Sequence, residues 1–112
     1  MTDISTNRRP ARVAFVGGLD RLEPAIVEAG RALGVEVEVH RGNVHGRGSE
    51  ALERVIRRAD RVVVVTGLNS HGGVLTAKRI ARRFGVELEI VKNCGIATAR
   101  ELLERSASRR AA

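Results

Sequence analysis

The densest group of polar side chains follows a run of four valines and reads Thr66-Gly67-Leu68-Asn69-Ser70-His71-Gly72-Gly73. Hydroxyls, an amide and an imidazole beside paired glycines can aim side-chain and backbone donors at one oxyanion. Asn69 or Ser70 is suited to cap a helix, which puts His71 in its first turn, where the positive end of the dipole favours bound negative charge. Lys78, about two turns further on, falls on roughly the same helix face. The plain alternative is a capped helix with a solvent-facing histidine. Gly17-Gly18-Leu19-Asp20 follows another Val-rich run, and its glycines let N–H groups approach an anion, although the spacing matches neither a dinucleotide fingerprint nor a P-loop. His40-Arg41-Gly42 opens a basic, glycine-rich loop reaching Ser49, and a loop that long in a small domain is usually functional or mobile. Lys92-Asn93-Cys94-Gly95 holds the only cysteine, which reads as buried filler or as a soft ligand.

These stretches support three chemistries. In the first, Gly17 and Gly18 supply backbone donors, and Thr66, Asn69, Ser70 and His71 supply side chains. His40, Arg41 and Lys78 stand nearby, and together they hold a phosphorylated small molecule or nucleotide. The chain is then a ligand-binding or regulatory domain. In the second, His40, His71 and Cys94 form a two-nitrogen, one-sulfur metal set, which only folding could assemble. In the third, His71 acts as a general acid or base, but Asp20 is the only carboxylate near these loops and no nucleophile stands beside the histidine. Whether the chain is an enzyme stays open, and no particular cofactor is implied.

The elements that must position these loops are four apolar segments, Val13 to Val16, Val35 to Val39, Val62 to Val65 and Val86 to Val91, each followed by a helical pattern. Alternation of short strands with helices calls for right-handed crossovers and a parallel sheet. The first and third segments are apolar on both faces, as interior strands must be, whereas VEVEV and VELEI alternate with glutamate and belong at the edges. The fold class predicted is α/β, a small open Rossmann-like or flavodoxin-like three-layer fold with four parallel strands in the order 2-1-3-4. The chain leaves the first and third strands in opposite directions, so a crevice opens between their C-terminal ends, where open α/β sheets bind ligands. Gly34 and Gly85 stand where helices end before strands, and Asp60 punctuates the corresponding place in the second unit. Residues 1–11 and 106–112 read as disordered tails around a single domain at 12–105.

Composition narrows the function classes. The chain of 112 residues is 43% apolar and 29% charged, enough for one core and too polar for a membrane span. The N-terminal stretch has no apolar core of a secretory signal, so the cytoplasm is the expected compartment. One cysteine excludes an internal disulfide. The net charge of +7 and pI near 11.3 invite a nucleic-acid partner. Against that, the arginines are spread over tails and helix faces, and without Trp or Tyr there is no stacking platform for single strands, so direct nucleic-acid binding is not the favoured reading. A homodimer is a further expectation, and a homo-oligomeric interaction module without a small ligand a further function class, since the glutamate rows on both edge strands could meet arginine-rich helix faces of another copy and cover the sheet edges.

The Val-rich first strand with Gly17-Gly18, the His40-Arg41-Gly42 turn, Asp60 before a valine run, and Thr66 to His71 with Lys78 in the next helix resemble the bacterial domain of unknown function numbered 2325 over residues 12–104. That resemblance implies a small Rossmann-type fold and a shared site at Ser70 and His71, without assigning a reaction.

Overall fold

The computed structural model describes residues 10–19, 21–42, 47–67 and 71–111. Along the chain run β1 (Ala11–Val16), α1 (Glu23–Ala32), β2 (Val35–His40), α2 (Gly48–Arg58), β3 (Arg61–Val65), α3 (His71–Phe84), β4 (Glu87–Val91) and α4 (Ile96–Ala111). The strands form one parallel sheet in the order β2-β1-β3-β4. The expected topology is therefore the observed one, for the expected reason. Val13 to Val16 and Val62 to Val65 are essentially solvent-free, and only interior strands covered by helices on both faces can bury consecutive residues in this way.

Side chains alternate between two cores. Val13, Phe15, Val63 and Val65 pack with Ile26, Leu102 and Leu103 under α1 and α4. Ala14, Val16, Val62 and Val64 pack with Leu52, Ile56 and Ile80 under α2 and α3. Each helix layer covers the two central strands and one edge, and leaves the far edge bare. The glutamate rows therefore face opposite ways. Val35, Val37 and Val39 of β2 join the α1/α4 core and turn Glu36 and Glu38 to the other side, whereas Leu88 of β4 joins the α2/α3 core and turns Glu87 and Glu89 towards α4.

Arginines of the same chain meet both rows. Arg12 Nε lies 2.9 Å from Glu36, and Arg58 Nη2 lies 2.6 Å from Glu38. On the opposite face Arg61 pairs with Glu89 and lies 3.5 Å from Glu87, while Arg105 of α4 reaches Glu89 at 3.5 Å. The polar faces that motivated contact with a second copy are thus occupied from within the chain.

Gly34 and Gly85 take positive φ of 74° and 67° after α1 and α3, as their positions suggested. Asp60 does more than punctuate, because its N–H donates to Arg12 O and its Oδ2 accepts from Arg12 N, each at 2.8 Å, which pins the start of β3 to the start of β1. The C-terminus differs from expectation: 106–112 is helical through Ala111, and Ser106 is buried. Ser-Ala-Ser-Arg-Arg-Ala contains no glycine or proline to stop a helix, and Ser106 continues the buried stripe of Leu102 and Leu103 one turn on. β1 opens at Ala11, one residue before the expected domain boundary. Among the described residues no helix is long and apolar enough to cross a membrane.

Candidate functional site

In a parallel sheet every strand delivers its following loop to one edge, and every helix begins there. β1 is followed by Gly17, whose N–H donates to His40 O at 2.9 Å and ties the first loop to the second. A Cβ on Gly17 would sit 3.0 Å from Val65 Cβ, so only glycine lets β1 and β3 stay this close as they separate. Gly18 is exposed, and Leu19 anchors the loop in the core at 2% exposure. Asp20 lies outside the described residues.

His40 closes β2 half-buried on the side of the sheet that faces α2. Its Nδ1 accepts from Gly42 N–H at 2.9 Å, which puts the proton of the neutral ring on Nε2. Burial lowers its pKa, with a hydrogen bond to the Gly48 backbone acting the other way. Arg41 is exposed beside it, and residues 43–46 lie outside the described chain.

β3 runs into Thr66, whose N–H donates to Val91 O at 2.9 Å, with its hydroxyl 3.5 Å from the same oxygen. Gly67 N–H donates to Lys92 O at 2.8 Å, and a Cβ there would collide with that oxygen. The third loop is thus stitched to the fourth, and the Thr66 hydroxyl leans towards β4. Asn69 and Ser70 lie outside the described residues. The His71 backbone opens α3 where expected, and its imidazole is not among the described side chains. Lys78 is exposed about 10 Å further along the helix axis.

Cys94 is 7% exposed and packs with Phe15, Val65 and Leu103 under α4. Burial pushes its thiol pKa up, and Sγ makes only a weak contact with Gly95 O at 3.6 Å. Because His40 points to the α2 side and Cys94 is in the α1/α4 core, the fold does not bring these two into one ligand set. No group of three His, Cys, Asp or Glu suited to a metal occurs among the described residues.

The sequence pointed to Arg41 but not to the other cations that the fold brings to this edge. Arg21, Arg41, Arg47 and Lys92 lie in three of the four strand-to-helix loops, whose sequences hold one carboxylate, Asp20. α1 and α2 carry Glu23 and Glu50 in their first turns, whereas α3 and α4 begin without an acidic residue and leave their positive ends uncompensated. No side chain caps the N-termini of α1 or α2. The signal was available: every basic residue between a strand and the next helix must arrive at this edge. A hollow of about 440 Å³ lies elsewhere, along β2, framed by the Arg12–Glu36 and Arg58–Glu38 pairs. Arg12, Arg31 and Arg58 there each pair with a glutamate.

A family model described as "Uncharacterized protein conserved in bacteria (DUF2325)" matches residues 12–106. A UPF0751 protein of Desulfitobacterium hafniense (strain Y51) is 25% identical over 94 residues, 84% of this chain and 92% of that protein. A response regulator receiver domain protein of Bacillus halodurans superposes with a TM-score of 0.60 at 17% identity, covering 87% of this chain and 97% of that one. A de novo designed Rossmann fold protein gives a TM-score of 0.57 at 16% identity, covering 86% and 95%. At such identities the two structural likenesses concern the fold alone.

Proposed function

The chain belongs to the DUF2325 family of bacterial proteins, and from the chemistry of its own sheet edge we propose that it is a ligand-binding or regulatory domain for a phosphorylated small molecule or nucleotide. The observation that carries this reading is the excess of positive charge in the strand-to-helix loops, Arg21, Arg41, Arg47 and Lys92 against Asp20 alone in their sequences. A phosphate group brings about two negative charges and several acceptor oxygens, which suit the backbone N–H of Gly18, the start of α3 at His71, and the guanidinium of Arg41, while the Gly17 N–H, spent on His40 O, holds the loop in place rather than reaching the ligand. Ser70 and Asn69 are the side chains expected to complete the shell. His40, held neutral by burial, supports the loop that carries Arg41.

Calorimetric titration with inorganic phosphate, sugar phosphates, and mono- and dinucleotides tests the reading, using wild type, Gly18→Val and His71→Ala. Each substitution is expected to weaken binding by roughly ten- to a hundredfold, the worth of a lost hydrogen bond to a charged group, while the thermal midpoint stays put. Absence of heat with every ligand, or wild-type affinity in both variants, refutes it.

A further inference from the structure

The two helix layers differ sharply in charge. α2 and α3 carry seven basic side chains against two carboxylates, and α3 has none of the latter. α1 and α4 carry five against four, with signs interspersed as an ordinary soluble surface has them. All seven basic residues of the α2/α3 layer are exposed. Some are engaged: Arg58 by Glu38 at 2.6 Å, and Arg57 and Arg83 over the Phe84 ring at 5.0 and 5.2 Å. Arg54, Lys78, Arg79 and Arg82 join no ion pair among the described residues. The fold therefore gathers onto one face the charges that look scattered in sequence, and this face is separate from the strand-end loops.

We propose that the α2/α3 face docks on the phosphodiester backbone of a nucleic-acid duplex. Six of its seven cations are arginines, whose planar forks bind phosphate oxygens in pairs, whereas lysine acts as a point charge. A membrane surface fits less well: among the described residues the two helices expose one large apolar side chain, Leu75 at 52%, joined on this side of the sheet by Ile90 of β4 at 44%, too little to seat in a lipid interface. A single strand fits less well too, since Phe84 is half-buried beneath two guanidinium groups and offers no free ring for base stacking. Contacts confined to the backbone carry no base readout, so binding is expected to be independent of sequence and steeply salt-dependent.

The test is fluorescence anisotropy of the full chain with short random-sequence DNA and RNA duplexes between about 50 and 200 mM salt. If these four cations, which join no ion pair among the described residues, each meet a phosphate, log affinity against log salt falls with a slope of about −4, since each contact contributes about −0.9. Arg79→Ala/Arg82→Ala keeps good helix formers in α3 and is expected to lower affinity at least tenfold and flatten the slope by about 2. Arg31→Ala/Arg100→Ala removes the same charge from the opposite layer and is expected to change affinity less than threefold; far-UV circular dichroism verifies that both variants fold. Preference for the DNA or the RNA duplex assigns the form of the partner. The proposal is overturned if neither duplex binds, if the two double variants lose affinity equally, or if single-stranded DNA or phosphatidylglycerol vesicles bind more tightly than both duplexes.

Discussion

Removing Glu89 should expose how much of the fold hangs on one half-hidden charge. Arg61 opens an interior strand, so its side chain is trapped at 11% exposure between β3, β4 and α4. Its Nη2 donates to Glu89, while Nε and Nη1 are buried without hydrogen-bond partners. Deleting one partner of a fully buried pair costs about 3–5 kcal/mol, whereas an exposed pair is worth at most about 1 kcal/mol. Glu89 is 25% exposed and Glu87 remains 3.5 Å from the guanidinium, so Glu89→Ala is placed between these limits at about 2–3 kcal/mol. For a domain of this size that lowers the thermal midpoint by roughly 8–12 °C. Arg61→Met/Glu89→Leu, which replaces the pair with apolar side chains of similar bulk, should return stability to within about 1 kcal/mol of wild type. Calorimetric melts and urea titrations of the singles and the double measure both effects. If Glu89→Ala melts within a degree or two of wild type, or the double is as unstable as its singles summed, the guanidinium is better solvated than its burial implies and the reasoning fails.

Burial lowers the His40 pKa from its usual value, so the folded state favours the neutral ring whose Nδ1 accepts from Gly42. Its contribution is complete above about pH 6.5 and is lost as pH falls through the lowered folded value; melts from about pH 8 to 5 should show this slope, and His40→Gln should flatten it. In Gly30→Ala the new Cβ would lie 2.6 Å from Val37 Cγ2 and 2.8 Å from Val35 O, so overpacking should outweigh the helix-propensity gain and destabilise by about 1–2 kcal/mol in urea, and a more stable variant would contradict the packing described for α1. Cys94 should react with a disulfide reagent at least about tenfold more slowly than a free thiol until the protein is denatured; equal rates would mean the α4 side of the core opens readily.

The strand order was legible because VAFV and VVVV can only be interior while VEVEV and VELEI can only be edges. What covers those glutamates was not, since their arginine partners lie 16 to 28 residues away in sequence and meet them only through crossovers and register. The homodimer expectation drew on glutamates that the fold matches internally. Cys94 reads equally as ligand or filler until α4 crosses back over β1 and encloses it. At the site, the loops were identifiable from the strand ends, but their shared positive charge emerges only when four loops are summed at one edge. The basic layer was hidden in the same way, because α2 and α3 each look like a solvated helix until both crossovers place them on one side.

The paired glutamate rows also bear on how this sheet ends. A parallel sheet has two open edges, each with unpaired backbone groups that invite another strand, and such edges are where fibrils and misassembled aggregates start. Here the bare flank of β2 carries Arg12–Glu36 and Arg58–Glu38, and that of β4 carries Arg61 with Glu87 and Glu89. An incoming strand would have to seat its side chains over these ions and strip their water, a cost its new backbone hydrogen bonds would not recover. Charge therefore disfavours strand addition at both ends without a proline or a bulge, and the protection should weaken as salt screens the charges it is made of.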